Sequence, residues 1–126
     1  MTTVSKQWEN QARYDLETAA AMFEAGRLLY VLFCCQQALE KMLKGLIAKR
    51  TRRLPARLHN LMRLADLASL EVPEDTVSLF RELTVYYIQS RYPEEIEAAG
   101  NDIAPELALA VLNRTEEAFQ WLSSIA

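Results

Sequence analysis

Three glycines and four prolines are all that interrupts a chain of 126 residues. The stretches between them are long enough for helices of several turns, whereas a fold of many short strands needs turn residues far more often. The apolar pattern agrees. Trp8, Ala12, Leu16, Ala19, Ala20 and Phe23 recur mainly at intervals of three and four, which predicts a first helix from about Ser5 to Ala25. Gly26 is the expected stop, because glycine tolerates the left-handed conformation that ends helices.

The second helix is expected from Leu28 to about Lys49. Its opening run, Leu28 to Cys35, taken alone also suits a buried strand. The continuation decides for helix: Ala38, Leu39, Met42, Leu43, Leu46 and Ile47 extend a helical stripe, and Glu40 and Lys44 form a favourable i,i+4 pair. The first half of this helix is apolar nearly all round. It must therefore be covered on more than one side, by its own bundle or by a partner.

Arg50 to Leu58 reads as a basic loop containing Pro55, and a short helix follows from about His59 to Ser69. Pro73, Glu74 and Asp75 open a fourth helix, with Val77, Phe80, Leu83, Thr84, Tyr87 and Ile88 expected inward. Pro93 should end it near Tyr92. Glu94 to Asp102 has loop composition, and a fifth helix starts at Pro105. Its stripe is Leu107, Ala110, Val111, Ala118, Trp121, Leu122 and Ile125, interrupted by Arg114. The expected fold is all-α: an up-and-down four-helix bundle with a short additional helix, forming one domain over residues 1–126.

Several chemistries are excluded. The Leu28 to Cys35 run is far too short to span a membrane, and the N-terminus lacks a signal-peptide layout, so a cytoplasmic location without membrane contact is expected. Cys34 and Cys35 are adjacent. Helical neighbours point about 100° apart, so the two read as small buried apolar residues rather than a disulfide. His59 is the sole histidine, with no Glu-x-x-His pair for a di-iron centre and no Gly-x-Ser-x-Gly elbow for a hydrolase triad. No glycine-rich phosphate loop is present. Neither a metal nor a cofactor is expected.

Two constellations remain. The net charge of −3 hides a split: Lys41 to Arg63 holds 8 of the 14 basic residues and no acidic one. A segment of that kind attracts phosphate, or pairs with an acidic face elsewhere. Lys44, Arg50, Arg52, Arg53 and Arg57 are its candidate phosphate ligands. The second constellation is Tyr86 to Pro93, where Arg91 can cap the exposed carbonyls of a helix end or grip phosphate with its planar fork, beside Tyr92. His59 reads either as a hydrogen-bonding residue at a helix start or as a general base.

These residues resemble the HEPN family. Trp8, Ala12 and Asp15-Leu16 fit its first helix; Gly26, Tyr30 and the run Cys35-Gln36-Gln37-Ala38-Leu39-Glu40-Lys41-Met42-Leu43-Lys44 fit its second. Pro55 with His59-Asn60-Leu61 and Leu64 fits the next helix start, and Tyr87-Ile88 with Ser90-Arg91-Tyr92-Pro93 fits the end of the fourth. The resemblance implies a helical bundle that commonly dimerises and is often encoded beside a minimal nucleotidyltransferase as a toxin–antitoxin pair. It also implies that active members are metal-independent ribonucleases with an Arg and a His four to six residues apart.

This chain departs from that spacing. No histidine follows Arg91, and the formal match of Arg53 with His59 lies in a different, Arg-rich loop. The expectation is therefore a homodimeric module that binds nucleotide or RNA with little or no ribonuclease activity. The alternatives are an active ribonuclease toxin using Arg91 or His59, and a purely structural interaction bundle.

Overall fold

The computed structural model describes residues 3–53, 57–89, 91, 92, 94 and 103–126. Among them five helices form: α1 (Thr3–Glu24), α2 (Leu28–Thr51), α3 (Leu61–Leu67), α4 (Glu74–Gln89) and α5 (Pro105–Ile125). The helix ends follow from local chemistry. After α1, Gly26 takes a positive φ of 74°, and the amides of Gly26 and Arg27 donate back to the carbonyls of Phe23 and Met22. This is the paired closure that satisfies carbonyls left open by a helix end. The α3 end closes the same way, with Ser69 rather than glycine at φ 57°. Arg52 stands at φ 57° after α2, its amide bonded to the Ala48 carbonyl.

Helix α2 is the hub. It packs against each of the other four described helices, and from Leu29 to Ala48 nearly every turn is buried. The nearly all-round apolar character of α2 is therefore covered by its own chain. An argument for a partner from that feature alone does not hold. The closest approach is to α1. A β-carbon on Gly45 would sit 3.1 Å from the Trp8 β-carbon and 3.4 Å from the Ser5 carbonyl oxygen, so a larger residue here would need α1 to give by a few tenths of an ångström. An ion pair between Lys41 and Asp15, at 2.7 Å, ties the same two helices.

The apolar stripes largely point as their spacing predicts, with corrections. The short helix begins at Leu61 rather than His59, because the Asn60 side chain caps it by accepting from the Arg63 amide at 3.1 Å. Helix α4 ends at Gln89, and Arg91 lies in a turn beyond it, its amide donating to the Ile88 carbonyl. Ile88 points outward, 53% exposed, while Leu79 takes the inward place. On α5 the inward face is Ala108, Val111, Leu112, Thr115, Ala118, Phe119 and Leu122, and Ala110 is exposed. Arg114 leaves the core to pair with Glu82 of α4 at 2.8 Å. Pro55, Ser90, Pro93 and the expected loop around Gly100 lie outside the described residues. No helix among the described residues is long and apolar enough to cross a membrane.

Candidate functional site

Residues separated by three or four positions share a helix face, so Gln36, Glu40 and Lys44 form one line along α2. All three are buried, an unusual placement for a charged pair. Glu40 is the centre of the line. Its Oε2 accepts from Lys44 Nζ at 3.1 Å, and its Oε1 accepts from Gln36 Nε2 at 3.1 Å. The Lys44 ammonium also lies 5.7 Å from the centroid of the Trp8 ring, a cation–π distance. What reads in the sequence as an i,i+4 pair is part of a buried polar network, with side chains only 5% and 9% exposed for Glu40 and Lys44.

The network reaches the residue just before the α3 cap. His59 Nδ1 sits 2.9 Å from Glu40 Oε1, and the His59 carbonyl accepts from Gln36 Nε2 at 2.9 Å. Backbone and ring are therefore both fastened to α2. A ring whose Nδ1 faces a carboxylate carries its hydrogen there, which leaves Nε2 directed away from the network. The His59 side chain is 44% exposed, so that second nitrogen belongs to a surface position.

Tyr87 of α4 connects this histidine to the second constellation. Its ring lies 5.1 Å from the His59 ring, centroid to centroid, and stacks on Phe33 of α2 at 5.9 Å with a 10° tilt. Arg91 donates from a guanidinium nitrogen to the Tyr87 hydroxyl at 3.1 Å and lies 5.6 Å from the same ring centroid. His59 and Arg91 are far apart in sequence, yet both touch one tyrosine. Tyr92 beside Arg91 is 55% exposed and offers a flat apolar face.

The remaining candidates divide. Lys44 faces inward and is engaged by Glu40. Arg50 donates to the Ala68 carbonyl at 2.8 Å, where it helps satisfy the end of α3. Arg52, Arg53 and Arg57 are exposed in the segment leading to His59. Lys44 is thus buried, and Arg50, though exposed, is engaged by a backbone carbonyl, while Arg52, Arg53 and Arg57 lie on the surface. Charge counting alone cannot make that distinction.

The two cysteines lie on α2 away from this cluster. Cys35 is fully buried, and burial pushes its thiol up to about 12. Cys34 is half-buried, and its thiol is raised too, by burial and then by nearby Asp15. Both are free thiols and poor nucleophiles near neutral pH. A separate recess of about 290 Å³, lined in part by Pro73, Asp75, Leu79, Arg114 and Trp121, shares no residue with the His59 cluster.

A comparison with curated proteins gives no match. Among solved structures, the crystal structure of TT1696 from Thermus thermophilus superposes with a TM-score of 0.81 at 30% identity, covering 98% of each chain. The HEPN domain profile matches residues 5–125, which takes in α2 to α5 and all of α1 but its first two residues. The chain belongs to the HEPN domain family.

Proposed function

We propose that this protein is a homodimeric HEPN module that holds the phosphates of a nucleotide or RNA and acts with a minimal nucleotidyltransferase, as one half of a toxin–antitoxin pair. The phosphate-binding part rests on one observation: His59 and Arg91 meet at Tyr87 at the end of a segment carrying exposed Arg52, Arg53 and Arg57. Guanidinium groups suit phosphate geometry, and Tyr92 offers a stacking surface for a base. The partnership with a nucleotidyltransferase is what family membership implies.

The test is fluorescence anisotropy with a labelled 2′-O-methyl uridine decamer, which cannot be cleaved through its 2′ position. Arg91→Ala should weaken binding about tenfold, the worth of one charge-assisted hydrogen bond. Combining Arg52→Ala, Arg53→Ala and Arg57→Ala should lower the slope of log affinity against log salt by about 2, since each lost phosphate contact removes counterion release. Arg50 is left intact because its bond to Ala68 is structural. Binding indifferent to both variants would put the ligand elsewhere on the protein, and absence of binding would leave the structural-bundle reading.

Homodimerisation finds support in α4 and the turn after it. Val85, Ile88 and Tyr92 are exposed at spacings of three and four, which makes one apolar stripe. Light scattering at micromolar concentration should report about twice the chain mass of 14.4 kDa. A monomer at that concentration would count against the dimer.

One observation favours the ribonuclease as a second reading. The Glu40 carboxylate behind His59 is the arrangement that orients a general base. Unmodified cellular RNA incubated in EDTA decides: cleavage lost in His59→Ala and Arg91→Ala would put that reading first.

A further inference from the structure

The recess between the start of α4 and the second half of α5 belongs to neither constellation, and its lining has a chemistry of its own. Its most buried members are apolar: Leu79 of α4 and Ala118 of α5. Trp121 of α5 is half-buried there, packed on the core and lining the recess at once. Asp75 of α4 and Glu117 of α5 bring one exposed carboxylate from each helix. Among the described residues neither has an ion-pair partner. Arg114 lines the recess too, but its charge is committed, since a guanidinium nitrogen donates to Glu82 at 2.8 Å. The uncompensated charge is therefore negative. The flanking sequence adds to it: Glu71 to Phe80 and Glu116 to Ala126 hold Glu71, Glu74, Asp75, Glu116 and Glu117, and no Lys or Arg. Such a surface repels phosphate and attracts cations.

We infer that this recess is a docking site for an arginine side chain presented by a segment of a partner protein, with Trp121 against the guanidinium and Asp75 and Glu117 accepting its hydrogen bonds. The site does not rest on the phosphate-binding reading. Size limits the occupant: about 290 Å³ lies at the foot of the usual range for small-molecule sites, about 300–1,000 Å³, which suits one side chain rather than a nucleotide. Among aromatic rings, tryptophan attracts a cation most strongly. Guanidinium answers the lining better than ammonium does. It is weakly hydrated, its face stacks on a ring, and its edge carries donors for more than one carboxylate. Its methylene stem covers Leu79 and Ala118 while the charged head meets the acidic rim. A free amino acid also needs a partner for its α-carboxylate. Among the described lining residues only Arg114 is cationic, and Glu82 already holds it. A side chain on a blocked backbone makes no such demand.

The experiment is a magnetic-resonance titration of the nitrogen-labelled full chain with the blocked tripeptide acetyl-Gly-Arg-Gly-amide, read at the indole N–H signals. The chain has two tryptophans, so Trp8, packed beside Lys44, is an internal control. The Trp121 signal should shift and saturate at millimolar peptide while Trp8 stays in place. Citrulline, the neutral isostere of arginine, should abolish the shift, and lysine should weaken binding severalfold. Combining Asp75→Asn with Glu117→Gln should weaken binding about tenfold, a few-fold for each exposed pair, with helix content unchanged by circular dichroism. The citrulline comparison tests the charge requirement on the parent chain, so it decides even if the double variant does not fold. An unmoved Trp121 signal overturns the inference, and so do equal shifts of both indoles. A citrulline or lysine peptide that binds as the arginine peptide does, or unchanged affinity in the folded double variant, overturns it as well. Free L-arginine binding more tightly than the blocked tripeptide would overturn the assignment to a protein segment and give the recess to a free amino acid.

Discussion

Replacing Glu40 with alanine is expected to destabilise the protein by about 3–5 kcal/mol, the usual cost of removing one partner of a buried ion pair. Lys44 Nζ and His59 Nδ1 lose their carboxylate partner, and Gln36 Nε2 loses one of its two acceptors. The first is the most serious. Lys44 is buried beside Trp8, and without Glu40 its ammonium has neither carboxylate nor ready access to water. Domains of ordinary size have only about 5–15 kcal/mol in hand, so the variant should sit near the edge of folding. Urea denaturation followed by circular dichroism measures it. With a slope of about 1.5 kcal/mol/M, the midpoint should fall by about 2 M or more. Combining Glu40→Gln with Lys44→Met should restore much of the loss, because a neutral amide and a thioether need no counter-charge. A fall of less than about 1 kcal/mol for Glu40→Ala would show that Lys44 escapes to solvent.

That prediction marks where sequence reading stops. The helices themselves were legible, since apolar spacing and the punctuation at Gly26, Pro73 and Pro105 reflect chain-local physics. Boundaries were legible where a cap has a local signature. The start of α3 slipped by two residues because the Asn60 side chain, and not His59, supplies the cap. The outward turn of Ile88 was not legible, because alternate members of an apolar stripe face the core or solvent according to how neighbouring helices lie. Family resemblance quotes Glu40 and Lys44 within one run, and His59 and Arg91 within two others, and Glu40 is not among the candidate site residues read from the sequence. That Glu40 and His59 touch, and that Arg91 joins them through Tyr87, depends on the docking of α3 and α4 against α2.

The same distinction divides the basic segment by exposure. Charge counting treats Lys44, Arg50 and Arg57 alike. On a helix, however, position decides exposure: Lys44 falls on the buried line of α2, one turn from Glu40. Arg50 falls where its fork reaches the last carbonyls of α3. Burial along α2 ends at Ala48, and Arg52, Arg53 and Arg57 are exposed beyond it. The exposed part of the basic segment is consequently smaller than the segment as a whole.

Phe80→Ala is the other substitution expected to act strongly, lowering stability by about 3–5 kcal/mol. Phe80 is completely buried and heads the fully enclosed side chains by volume. Truncation removes its transfer free energy and leaves a cavity that the surrounding core closes only in part. Its position gives the loss a second consequence. Phe80 seats α4 in the core two turns before Tyr87, and α4 touches α2 and α3 through few residues compared with the α1–α2 pair. Loosening α4 should therefore move Tyr87 off Phe33 and His59 before the rest of the bundle yields. Two measurements separate these effects. Thermal unfolding should show the global loss as a fall in midpoint of about 10 °C or more. Amide hydrogen exchange below that midpoint should show α4 losing protection ahead of α2. Uniform loss of protection across both helices would mean that α4 unfolds only with the whole bundle, and that the contacts of Tyr87 are as stable as the core itself.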